Sequence, residues 1–229
     1  MSAELHGDCF WMFDLVATDQ AVRRRALARH QALVAAASEA LDRWNALWAV
    51  ERTAAPTQPH LVAEMDQASA DRFWHQKRTI KGPIRAFLDS ALGDDVTEAL
   101  WAPFAVLYLR WEADYPTEWG APESWMWSPW GTKEALLRRF ERGGLPEGTR
   151  PQIAELILSA LGRPYRCKDW MYARLVRHLD PSFLDRVAAL ASADDPFVRL
   201  RAQFVLHATE SGKPRITRTS WQRWLSAGG

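Results

Sequence analysis

Residues 181–209 read PSFLDRVAALASADDPFVRLRAQFVLHAT, and this stretch decides the fold class. Pro181 stands where a first helical residue is expected, because its missing N–H is one of the donors left unpaired there in any case. Leu184, Val187, Ala188 and Ala191 follow at helical spacing and define one apolar face. Asp194 and Asp195 then precede Pro196, which places acid at the positive end of a second helix. Val198, Ala202, Val205 and Leu206 recur at i, i+4, i+7 and i+8 and give that helix its own apolar face. Gly212 and Pro214 mark the stop. Two short antiparallel helices with facing apolar stripes need a stacked neighbour to bury them. The chain is therefore expected to be all-α, a helical bundle or solenoid.

Asp195-Pro196-Phe197-Val198-Arg199 resembles the start of the second helix of a HEAT-type repeat, with Pro181 opening the first. The resemblance covers one repeat clearly, residues 181–209. A fainter copy lies upstream, where Pro151 aligns with Pro181, Glu155 with Asp185, Ile157 with Val187, Leu175 with Val205 and Val176 with Leu206. The copy departs at Lys168 and Asp169, which stand at the Val198 and Arg199 positions. The resemblance implies HEAT-like hairpins at the C-terminal end. An ordinary helical hairpin in a globular bundle reads the same residues equally well.

At 229 residues, 48% of them apolar, the chain can bury a sizeable core. Lys and Arg number 29 against 28 Asp and Glu, a net of +1, so no global field draws in nucleic acid or acidic membranes. Cys9 and Cys167 are too few for a disulfide framework and match no metal spacing. No signal peptide and no apolar run of membrane-spanning length is read, so a cytoplasmic setting is expected. The thirteen tryptophans are several-fold above an ordinary share.

In chain order, residues 1–17 are short and aromatic, with Phe10, Trp11 and Phe13 expected to dock onto the body. Thr18 or Asp19 can cap a long helix to about Val50, whose stripe is Val22, Ala26, Arg29, Leu33, Ala37, Ala40 and Leu41, closed by Trp44, Leu47 and Trp48. Arg23, Arg24 and Arg25 read as a solvated basic run. Residues 53–59, TAAPTQP, are a linker by composition. Helices are expected over 60–80, 83–92 and 96–115, with a break at Gly82-Pro83 and a kink or split at Pro103. The last carries Leu100, Phe104, Leu107, Tyr108 and Trp111 and is expected to be the central buried helix. Helices over 132–142, 150–161 and 168–179 lead to the hairpin. Trp221, Trp224 and Leu225, among the cations Lys213, Arg215, Arg218 and Arg223, give a capping helix. The organisation read is an N-terminal helical region 1–115, a tryptophan-rich loop 116–131 and C-terminal hairpins 132–229, forming one continuous domain.

Residues 115–131, YPTEWGAPESWMWSPWG, are read as a long irregular loop, a kind of segment that often carries function. Trp119, Trp125, Trp127 and Trp130 offer an aromatic platform, and Glu118 and Glu123 offer charges that could choose a basic partner. The same rings could instead fill a seam between two helical layers.

Catalytic patterns are absent: no GxSxG, Walker loop, GxGxxG or HExxH occurs. The six histidines are scattered, so no metal site and no cofactor is expected. Cys167, between Arg166 and Lys168, reads as a plain half-buried thiol. Asp169-Trp170 is similar in kind to the acid and tryptophans of HEAT-like alkylpurine DNA glycosylases, a resemblance of size, helix content and ring type. It implies Asp169 and Trp170 as catalytic residues, with Trp125 and Trp127 framing a cationic alkylated base. A basic stripe of Arg138, Arg139, Arg142, Arg163, Arg166, Lys168, Arg174 and Arg177 would then grip nucleic acid.

The function expected from these residues is non-catalytic binding of another protein, because exposed Trp and Arg anchor interfaces. A bacterial inhibitor or immunity-type protein is the narrower expectation, and the glycosylase or another nucleic-acid-binding role is the alternative.

Overall fold

The computed structural model describes residues 7–53, 58–210 and 216–227, and all regular structure among them is helical. A 3-10 helix, Phe10–Val16, leads into α1 (Gln20–Glu51), α2 (Pro59–Gln76), α3 (Lys81–Asp89) and α4 (Asp95–Asp114). Next come α5 (Pro116–Trp119), a 3-10 turn Pro122–Ser124, α6 (Pro129–Gly143), a 3-10 turn Glu147–Thr149 and α7 (Arg150–Gly162). A longer 3-10 helix, Asp169–His178, then α8 (Phe183–Leu190), α9 (Pro196–Glu210) and α10 (Arg218–Ala227) complete the path. The expected stop at Gly212 and Pro214, the cations Lys213 and Arg215, and residues 54–57 of the linker lie outside the described residues.

The chain divides into two compact units: Met1–Phe87 with Asp114–Ser128, and Leu88–Ala113 with Pro129–Gly229. The expected divide flanked the tryptophan-rich segment. The boundary of the units instead falls inside that segment: residues 116–128 belong to the N-terminal unit, whereas 129–131 and most of α4 belong to the C-terminal unit.

In the N-terminal unit, Asp19 caps α1: its Oδ1 accepts from the backbone N–H of Ala21 at 2.7 Å and of Val22 at 3.2 Å. These bonds hold its carboxyl below the usual range. The buried stripe of α1 is Arg23, Ala26, His30, Val34, Ala37 and Ala40. It shares three alanines with the expected stripe, but His30 replaces Arg29, which turns outward and stacks on Trp11 at 4.5 Å. In an alanine-rich helix, neighbouring faces only about 100° apart differ little in hydrophobicity, so sequence spacing leaves the phase open. Of the basic run, Arg24 and Arg25 are solvated, whereas Arg23 is buried. The 3-10 segment before α1, with Cys9 just ahead of it, docks through Cys9, Met12 and Leu15, not through Phe10, which is 54% exposed.

Two separate helices form as expected, but the break between them falls at residues 77–80 rather than at Gly82-Pro83. Gly82-Pro83 itself lies in the first turn of α3, where Pro83 gives up an N–H that has no partner there. A Cβ on Gly82 would stand 1.9 Å from the Lys77 carbonyl oxygen, so only glycine fits.

In the C-terminal unit, α4 runs unsplit through Pro103 and buries Trp101, Phe104, Leu107, Tyr108 and Trp111. Its central, buried character is as expected. Around it the core takes Leu136, Leu137 and Phe140 from α6 and Ile153, Leu156 and Ile157 from α7. In the 181–209 stretch, α8 packs against α9 and both against α7. Val187, Val198, Ala202 and Val205 are buried, but Phe183 replaces Ala188 and Ala191 on the inner side of α8. Asp195 caps α9, accepting from Phe197 N at 2.7 Å and Val198 N at 3.3 Å. In the fainter copy the first helix forms as α7, while the second is the 3-10 helix Asp169–His178, entered through Lys168 in the left-handed region (φ 69°).

Candidate functional site

The tryptophan-rich segment is ordered rather than an irregular loop. Pro116 starts α5, Pro122 starts a 3-10 turn and Pro129 starts α6, each proline serving a helix start. Residues 114–128 are tied down on α1. Arg23 Nε donates to Glu118 Oε1 at 3.1 Å and Oε2 at 3.2 Å, its Nη1 donates to the Ala17 carbonyl at 2.8 Å, and its guanidinium lies 3.9 Å from the Tyr115 ring. Ser124 Oγ donates to the Glu118 carbonyl at 3.2 Å.

This anchoring corrects part of the expected platform. Trp119 is buried at 2% exposure and its carbonyl accepts from the Trp125 indole N–H. Glu118 is committed to Arg23 and is not free to choose a partner. Trp130 lies in α6 of the other unit, 5.5 Å from Lys133 Nζ. Trp125 and Trp127 are half-exposed. Trp125 meets Trp119, Trp127 and His30 edge to face, with centroids 5.6, 5.2 and 5.8 Å apart. Lys81 Nζ lies over the Trp127 ring, 4.6 Å from its centroid. His30 beneath Trp125 is fully buried, and burial pushes its imidazole down to about 3.

What remains open is a groove of about 610 Å³ along α1. One wall is Pro122, Glu123, Trp125 and Met126; the other is the α1 face from Gln31 to Asp42. Ala32, Ala35 and Ser38 are small, and their missing bulk makes the space. Glu39, Asp42 and Glu123 are exposed at its edges, and no cation lines it. Of these three acids only Glu123 was a candidate from sequence. Glu39 and Asp42, one turn apart on α1, carry no local signal beyond two ordinary surface acids.

The second candidate, Asp169-Trp170, has a different fate. Lys133 Nζ donates to Glu112 Oε2 at 3.0 Å and to Asp169 Oδ1 at 2.7 Å, with all three side chains at 1% exposure or less. Arg163 Nη2 reaches both carboxylates at 3.1 Å, and the Arg166 backbone N–H donates to Asp169 Oδ2 at 2.8 Å. Burial raises the Asp169 carboxyl, against the pull of Lys133 and Arg163. Both oxygens of Asp169 are thus occupied inside the protein, and it does not stand open to a base on a concave face. Trp170 is buried under the Arg174 guanidinium at 4.8 Å. Lys133, the centre of this cluster, was not singled out from sequence.

The basic stripe is largely neutralised in place. Arg138 and Lys168 share Glu134, Arg174 pairs with Glu141, and Arg139 is buried on Glu98. Arg163 and Arg166 pair with Glu112, Arg142 donates to the Arg138 carbonyl, and Arg177 donates to that of Glu141. Cys167 is exposed rather than half-buried, whereas Cys9 is buried and its thiol is pushed up to about 11, chiefly by desolvation. Among the described residues no group of three or more His, Cys, Asp or Glu could hold a metal ion. No helix among them is long and apolar enough to cross a membrane. Comparison with family models, with curated proteins and with solved structures finds no match.

Proposed function

We propose that the chain is a non-catalytic protein-binding module built on helical hairpins, and that it receives its partner in the groove between α1 and the tryptophan-rich segment. The supporting observation is the wall of Trp125, Met126 and Pro122: an anchored indole, a deformable thioether and a rigid ring facing solvent beside an alanine floor. Half-exposed tryptophan held in one orientation offers large contact area with little entropy left to lose. Methionine adapts to the partner's shape. The narrower form of the proposal is a bacterial inhibitor of the immunity type, which would occupy its target through this groove.

The test fills the groove without touching the core. Ala35 is exposed on the groove floor, so Ala35→Trp adds bulk there and leaves the buried stripe intact. A partner recovered on wild-type protein from the cells that make it, then purified, should bind wild type and lose about 2 kcal/mol or more on Ala35→Trp, at unchanged melting temperature. Equal affinity for both proteins would remove the groove from the binding surface.

A further inference from the structure

The groove's charges say what kind of segment it takes, and this step rests on the binding reading above. Glu39 and Asp42 sit on the α1 edge and Glu123 on the opposite edge. None of the three makes an ion pair with a described residue, although Arg43, next to Asp42, is within the same helix and pairs instead with Asp71. The remaining lining residues are neutral: Gln31, whose amide donates to Ser124 Oγ at 3.5 Å, Ser38, and the apolar side chains. Three carboxylates around an apolar slot that no cation lines are complementary to positive charge carried on apolar stems. The same acids repel phosphate backbones and anionic membranes.

We propose that the partner presents a cationic amphipathic helix, with arginine set against Glu39, Asp42 and Glu123 and an apolar side chain on the Trp125–Met126 wall. Glu39 and Asp42 are three residues apart, so their backbone positions are separated by a rise of about 4.5 Å, a little under one helical turn. Basic residues at i and i+3 or i+4 of a helix laid along α1 match that repeat. Arginine fits better than lysine on two grounds. Its planar fork takes a carboxylate bidentately, and its face stacks on an indole while its stem packs on the apolar wall.

The experiment uses three synthetic peptides of about fifteen residues, four helical turns. One has arginine on one face and leucine on the other; in the second glutamine replaces each arginine, and in the third glutamate does. Binding to the full chain is measured by calorimetry and by the shift of the Trp125 indole resonance, assigned with Trp125→Phe. The arginine peptide should bind, shift Trp125 and weaken steeply between about 50 mM and about 500 mM salt. It should weaken about tenfold on a Glu39→Gln, Asp42→Asn, Glu123→Gln triple variant, as three rim ion pairs would give. These positions are exposed, so the variant should melt like the parent. If the glutamine peptide shifts Trp125 as strongly, and the triple variant binds both peptides like wild type, the cationic partner is overturned while the groove stands as a docking site. If no peptide shifts Trp125, the docking reading itself fails. Concentration-dependent self-association that shifts Trp125 without peptide would replace the cationic helix by a second copy of the chain.

Discussion

Lys133 and Asp169 are 36 positions apart in the chain and 2.7 Å apart in space, and neither reaches solvent. The pair joins the first turns of α6 to the start of the 3-10 helix that follows α7, and Glu112 of α4 completes it. Removing one member of such a group strands the others as uncompensated buried charge.

Lys133→Met and Asp169→Asn are therefore each expected to cost about 3–5 kcal/mol of stability. Denaturant unfolding at neutral pH measures this. A variant of either that unfolds at the parental midpoint would mean the cluster is hydrated and open. The glycosylase alternative required the opposite, an Asp169→Asn protein that folds normally and loses only activity.

His30 makes the fold sensitive to mild acid. Its imidazole is held down to about 3 by burial, whereas in the unfolded chain it takes a proton near 6.5. The unfolded state thus binds the extra proton first, and stability from this group is lost as pH falls from about 6.5 towards 3. The limiting slope is about 1.4 kcal/mol per pH unit. His30→Phe keeps a ring against Trp125 and cannot titrate, so its stability should fall less steeply between pH 6.5 and 4.5. Parallel curves for the two proteins would show that His30 is not buried as described.

Trp119 and Trp125 differ in what they support. Trp119 is enclosed, so Trp119→Ala should cost about 3–5 kcal/mol. Trp125 is half-exposed but meets three rings, and Trp125→Ala should cost about 1–3 kcal/mol through those lost pairs, in addition to affinity. Thermal melts rank the two. Equal, small losses would mean the segment is not anchored on α1.

Val198 lies inside the α8–α9 hairpin at 7% exposure. Val198→Asp buries a charge with no partner and should cost on the order of 3 kcal/mol or more. Arg199→Ala loses a bond to the Ala193 carbonyl at 2.7 Å, worth about 1 kcal/mol. A folded Val198→Asp protein at parental melting temperature would contradict the buried face of α9.

The all-α class, a cap at Thr18 or Asp19, the buried α4 and the inner side of α9 were legible in the sequence, because each depends on spacing within one helix or on a residue's own backbone preference. Leu107, Tyr108 and Trp111 announce a buried face wherever the helix is placed. Which face of the alanine-rich α1 turns inward was not legible, since Arg29 and His30 are adjacent and alanine marks no side. Nor was the division into units, because it depends on which distant segments share a core. The sequence marked Trp119, Trp125 and Trp127 as unusual, but only the tertiary structure decided which ring is enclosed and which lines a groove. It alone also decided that Glu118 serves Arg23 while Glu39, Asp42 and Glu123 meet around one slot, and that Lys133 gathers Glu112 and Asp169. The physical reason is the same throughout. Local pattern sets helices, whereas charge pairing and burial are set by contacts between residues tens of positions apart, which no window along the chain contains.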